Sequence, residues 1–181
     1  MSCLQIDQSV LLVVDMQASL MPAIAEQRQR IDCAKRLIAA AKELQVPVFA
    51  TEHVPHKIGH TVPGLAISRE HVLTKTHFDA TREPDFAHRL PQGKNQVVLF
   101  GAEAHICVLQ TALGLIDGGY QVWLVADACG SRDESDRRLA FERLARAGGT
   151  IISSEMAIFE WLAHANHPKF RQILTIVKSR D

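Results

Sequence analysis

Apolar and polar positions fall into two alternating patterns along the chain. Six short runs rich in Val, Ile and Leu read as strands: Val10–Asp15, Pro47–Thr51, His71–Thr74, Gln96–Gly101, Gln121–Ala126 and Thr150–Ser153. Between them lie longer stretches with helical spacing. After the first run, Ile31, Ala34, Leu37, Ile38, Ala41 and Leu44 form one apolar stripe, with Arg30, Lys35, Arg36, Lys42 and Glu43 off it. Strands alternating with helices predict an α/β protein built on a mainly parallel sheet. Gly118-Gly119 and Gly148-Gly149 each follow a helical stretch and precede a strand, as left-handed C-terminal caps do. Ser131 followed by Glu134 predicts a capping box at the start of the helix bearing Leu139, Phe141 and Leu144. The one long irregular stretch, His53 to Arg69, contains Pro55, Gly59, Pro63 and Gly64 and follows a strand end, where a loop can wall a site. No repeat or linker interrupts the pattern, so residues 1–181 read as a single domain.

Composition narrows the function classes. With 181 residues and 47% hydrophobic content the chain can bury a full core. Twenty basic residues balance twenty acidic ones, so no global field draws the protein to nucleic acid or an anionic membrane, and a small molecule is the expected partner. The N-terminus lacks the pattern of a signal peptide, and no apolar stretch approaches a membrane span; the expected location is cytoplasmic. Four cysteines, at 3, 33, 107 and 129, form no Cys-x-x-Cys pair and are expected as reduced thiols.

Three residues at predicted strand ends suggest chemistry. Asp15 and Lys75 follow the first and third runs, and Cys107 lies six residues beyond the fourth. In an open α/β sheet the carboxyl ends of parallel strands share one rim, which is where ligands bind. Gly101 to Val108 reads as strand, turn and helix start, so the Cys107 thiol would meet unpaired N–H groups and the positive end of a helix dipole. Those groups, with Lys75 nearby, are expected to favour the thiolate, while Asp15 accepts its proton. Taken singly each residue has a plainer use: Cys107 as core, Asp15 as a helix cap, Lys75 as a solvated charge.

The segments Leu12-Val13-Val14-Asp15-Met16-Gln17, Thr74-Lys75-Thr76-His77-Phe78 and Gly101-Ala102-Glu103-Ala104-His105-Ile106-Cys107-Val108 resemble, in order and spacing, those of isochorismatase-like hydrolases. Val125 to Arg132 and His167 to Phe170 resemble most closely the subgroup called isochorismatase domain-containing proteins. The resemblance implies a three-layer α/β/α fold, a doubly wound six-stranded sheet of Rossmann-like form. It implies a triad of Asp15, Lys75 and Cys107, an oxyanion hole from the N–H groups of Ala104 and Cys107, and a cis peptide just before Ala104. It also implies a homo-oligomer, a dimer or tetramer. The reaction implied is attack of Cys107 on a small amide, carbamoyl or related acyl carbonyl, with Asp15 as base and a thioester intermediate. Isochorismate cleavage, which breaks a vinyl ether by acid chemistry, is the alternative within the superfamily, and a catalytically silent oligomeric binding or scaffold protein is the alternative outside it.

Substrate contacts are expected from Gln17, His53, His77, Phe78 and His105, although Gln17 could equally tie its loop and His105 lie at the surface. His53, His56 and His60 follow the second strand, where nicotinamidases carry an Asp-x-His…His metal site; with Glu52 beside them and Pro55 between, they are expected as pocket wall or surface, with no metal and no other cofactor. Cys129, Phe159 and Trp161 are expected in the core or a subunit interface.

Overall fold

The computed structural model describes residues 3–179. Its strands are β1 (Ser9–Val14), β2 (Val48–His53), β3 (Val72–Lys75), β4 (Gln96–Gly101), β5 (Gln121–Val125) and β6 (Thr150–Ile152). The helices are α1 (Gln27–Glu43), α2 (Pro55–Ile58), α3 (Phe86–Arg89), α4 (Leu109–Asp117), α5 (Glu134–Arg146), α6 (Ser154–Leu162) and α7 (Phe170–Lys178). The strands form one six-stranded sheet in the order β3-β2-β1-β4-β5-β6, and every pairing is parallel. β1 and β4 are buried along their whole length, as strands covered on both faces must be. α1 packs with α6 and α7, and α4 packs with α5, which gives the two helical layers of a doubly wound fold. Chain order reverses direction between β1 and β4, so a crevice is expected above that pair.

Expected strands and observed strands agree in number and position, with β2 running two residues further to His53. That extension fixes Glu52 and His53 in the sheet, opposite Thr74 and Lys75. In α1 the apolar stripe is displaced slightly: Arg30 is buried while Ile31 is only half-buried. The Arg30 guanidinium reaches Asp127 O at 3.2 Å and Glu26 Oε2 at 2.5 Å, which lets a charged residue face inward. The glycine caps after α4 and α5 are present, with Gly119 at φ 84° and Gly148 at φ 99°. The expected capping box is not: α5 begins at Glu134, and its cap is Asp133, which accepts from Ser135 N at 2.7 Å. Ser131 is diverted because its hydroxyl meets His105 Nδ1 at 2.9 Å. The stretch after β2 is less irregular than expected, since it contains α2 and an antiparallel bridge between Gln17 and Thr61.

Gly101 sits at the switch point and carries a strict requirement. Its φ is 145°, and a Cβ there would lie 1.9 Å from Val14 O. Only glycine lets β4 end against β1 closely enough for Ala102 N to donate to Val14 O at 3.0 Å.

Candidate active site

The ends of β1, β3 and β4 bring Asp15, Lys75 and Cys107 to one rim. Asp15 leaves β1 in the left-handed region at φ 50°, a conformation Asp tolerates better than most residues. Its side chain is wholly buried. Thr51 Oγ1 donates to Asp15 Oδ1 at 2.6 Å, and Lys75 Nζ stands 2.7 Å from Oδ2. That second contact is an ion pair whose angle falls outside hydrogen-bond geometry, so Oδ2 keeps hydrogen-bonding capacity of its own. Lys75 is equally buried, and it donates further to His77 O at 3.1 Å and Phe78 O at 3.4 Å. Two charges this deep are tolerable only because each neutralises the other and finds extra hydrogen bonds.

Cys107 lies in a π-helical turn, Ala104–Val108, that runs directly into α4. Both members of the ion pair act on its thiol directly. Burial, followed by the negative charge of Asp15, pushes the thiol up to about 12, and Lys75 only partly offsets this. The favoured thiolate expected from the sequence is not found: desolvation and Asp15 outweigh the lysine. At neutral pH Cys107 is a neutral thiol beside the Asp15 side chain.

His53 and Phe78 flank this group. Their rings lie 5.3 Å apart, tilted by 31°. Phe78 is 49% exposed, which makes it an apolar wall open to a ligand. His53 Nδ1 is buried and has no hydrogen-bond partner. Burial first, and the Lys75 charge second, hold the His53 pKa below its ordinary value, while Asp15 and Glu83 oppose them.

Four other expected contacts have different work. Gln17 is fully buried, and its amide is consumed internally: Nε2 donates to His53 O at 3.1 Å and Gly59 O at 2.5 Å, while Oε1 accepts from His53 N at 2.7 Å. It ties its loop rather than offering a free group to substrate. His77 Nδ1 pairs with Glu83 at 2.9 Å, and Glu83 also accepts from Thr76 N at 2.7 Å and His77 N at 3.0 Å. Desolvation raises the Glu83 pKa, yet these hydrogen bonds from His77 and Thr76 outweigh it and hold the pKa at about 2. His105 faces Ser131 and, at 3.6 Å, Asp136 of α5. Ala104 N–H, expected to point at an oxyanion, donates to Gly130 O at 2.8 Å. The N–H groups of Ile106 and Val108 both go to Glu103 O, at 3.1 and 3.2 Å. A cis peptide is present one residue earlier than expected, between Ala102 and Glu103.

The histidines after β2 do not converge. His60 Nδ1 meets Glu52 Oε2 at 2.9 Å, and Glu52 Oε1 accepts from Thr61 N at 2.7 Å; His56 is exposed. Among the described residues no group of three or more His, Cys, Asp or Glu is arranged to hold a metal ion, and no helix is long and apolar enough to cross a membrane. A cavity of about 650 Å³ opens elsewhere, beyond β5 and β6, lined by Arg30, Asp127 and Arg137 among others, and contains none of the three rim residues. Its arginines are engaged by backbone carbonyls, Arg137 with Cys129 O at 2.9 Å and Ala126 O at 2.5 Å, so they brace the end of β5.

Sequence reasoning missed Thr51 and Glu83. Thr51 is opposite Val14 only once β1 and β2 are paired, so its contact with Asp15 has no signal in a single strand. Thr111 of α4 was also missed; its hydroxyl accepts from Ala80 N at 3.0 Å and steadies the turn after Lys75.

The chain and its fold are similar to those of known proteins. The Isochorismatase domain family matches residues 9–156. Isochorismatase domain-containing protein 1 of Danio rerio is 40% identical over 94% of this chain, which spans 61% of that protein's length. Isochorismatase domain-containing protein 2 of Xenopus laevis is 37% identical over 93% of the chain and 83% of its own length. A solved structure described as the MAR1 ribonuclease from Caenorhabditis elegans superposes with a TM-score of 0.90 at 32% identity, covering 99% of this chain and 95% of that one. A sheet of this order, with an acid, an ammonium and a thiol at its switch point and this family match across most of its length, places the chain in the isochorismatase domain family.

Proposed function

We propose that the protein is a cofactor-independent cysteine hydrolase that cleaves a small amide, carbamoyl or related acyl substrate at a C–N bond. The observation that carries this reading is the Cys107 thiol held under direct influence of the buried Asp15–Lys75 pair. Asp15 takes the thiol proton as the sulfur adds to the substrate carbonyl. Lys75 keeps the carboxylate in place and balances its charge until transfer. With Ala104 N–H committed, the Cys107 N–H at the mouth of the helix serves the oxyanion. The tetrahedral adduct collapses, the C–N bond breaks, and the leaving amine carries off the proton from Asp15. Water then attacks the thioester, gives its proton to Asp15, and the thiol is restored.

His53 and Phe78 contact the substrate in this reading. Leu139, Met156 and Phe159, exposed on α5 and α6, are the apolar residues available to a homo-oligomer contact. The test is ammonia release from a panel of primary amides and carbamoyl compounds, with RNA incubated in parallel and followed by gel electrophoresis because one structural relative is described as a ribonuclease. Turnover of an amide, abolished in Cys107→Ala and in Asp15→Asn, is the expected result. Amide turnover that persists in Cys107→Ala would overturn the nucleophile reading, and RNA cleavage alone would overturn the amide reading.

A further inference from the structure

Buried polar atoms in folded proteins are almost always hydrogen-bonded, so an orphan beside reactive groups asks for a partner. His53 Nδ1 is such an atom. The residue's place beside the ion pair is fixed by its backbone. Its backbone N–H and C=O are both clamped by the Gln17 amide, and its register opposite Lys75 is set by the sheet. Its ring leans on Phe78, whose outer half is open. The nitrogen and the apolar wall therefore stand together beside the ion pair.

We propose that His53 determines specificity at this site: Nδ1 hydrogen-bonds the amide group of a neutral, planar primary amide or carbamoyl compound whose flat face rests on Phe78. This inference builds on the reading of Cys107 as nucleophile and adds what the nucleophile selects. The charge arithmetic supports neutrality. Lys75 is already balanced by Asp15, and the His53 imidazole, with its pKa held down by burial and by Lys75, brings no compensating charge. A carboxylate placed there would face Asp15 without a counter-ion. An amide suits either tautomer of His53, because it offers a carbonyl to an N–H and an N–H to a lone pair.

The experiment compares alkylation of Cys107 by iodoacetamide and by iodoacetate, followed by peptide mass spectrometry, with each rate divided by that of glutathione. Wild-type protein is expected to favour iodoacetamide, and His53→Leu to lower that preference about tenfold, the scale of one lost hydrogen bond to a buried group. His53→Gln, which keeps a donor and an acceptor, is expected to recover most of it. A preference unchanged in His53→Leu overturns the inference and leaves the nucleophile reading intact. Cys107 that reacts identically in wild type, Asp15→Asn and Lys75→Met overturns both.

Discussion

The raised pKa of Cys107 gives the sharpest test of how this site works. From an ordinary 9.0 the thiol is pushed to about 12, by burial first and Asp15 second. At pH 8 a thiol of the ordinary kind is about one-tenth ionised and Cys107 about one part in ten thousand, roughly a thousandfold deficit in thiolate. A more basic thiolate is also more nucleophilic, by about 0.4–0.5 log units per pKa unit, which recovers roughly 20-fold. Cys107 should therefore react with iodoacetamide roughly 50-fold more slowly than an unperturbed thiol, before any steric penalty. Cys3 is exposed and serves as an internal reference in the same digest. The labelling rate of Cys107 should keep climbing past pH 10. Asp15→Asn deletes the charge that raises the pKa and leaves Lys75 beside the sulfur, so the midpoint should fall by a unit or more and labelling at pH 8 should speed up. On the proposed mechanism turnover should fall in the same variant. A wild-type Cys107 whose rate levels off near its ordinary value of 9.0, or a midpoint indifferent to Asp15→Asn, would refute the account of a neutral resting thiol.

Lys75→Met strands a buried carboxylate and should destabilise the protein by about 3–5 kcal/mol in urea unfolding, while Asp15→Asn combined with Lys75→Met should recover most of that loss; equal additivity of the two changes would argue against coupling. Glu83, with its folded pKa at about 2 against an ordinary 4.5, contributes stability that is present above about pH 4.5 and lost as pH falls toward 2. Melting temperature in Glu83→Gln should accordingly vary less than wild type across that window, and parallel curves would contradict the assignment. Gly101→Ala, with its Cβ at 1.9 Å from Val14 O and a φ of 145°, should give insoluble or unfolded protein, and a well-folded variant by circular dichroism would show that the β1–β4 approach can relax.

The six strands and the rim residues were legible because strand interiors write their burial into the sequence, and because a parallel sheet sends every strand's carboxyl end the same way. Contacts between strands were not. Thr51 touches Asp15 only through the register of β1 with β2, and Arg30 could be recognised as buried only once Asp127 O and Glu26 were seen to receive it. The thiol was misjudged for a related reason. Helix position and nearby charge can be read along the chain, whereas desolvation depends on everything packed around the sulfur, and here it is the larger effect. Gln17 and His105 show the limit for polar side chains: each had hydrogen-bonding capacity beside the site, and only tertiary neighbours reveal that it is spent elsewhere.

The Gln17 clasp separates what reacts from what is chosen. The acid and the ammonium are anchored to strand termini in fixed alignment, whereas the span from Val54 to His71 is a visor fastened to that chassis by the Gln17 amide, the Gln17–Thr61 bridge, backbone hydrogen bonds to Met16, Ala18 and Ser19, and the Glu52 carboxylate. Exchanging the visor for one of different length, with those fastenings kept, should change what the rim admits and leave the Asp15–Lys75 pair in place.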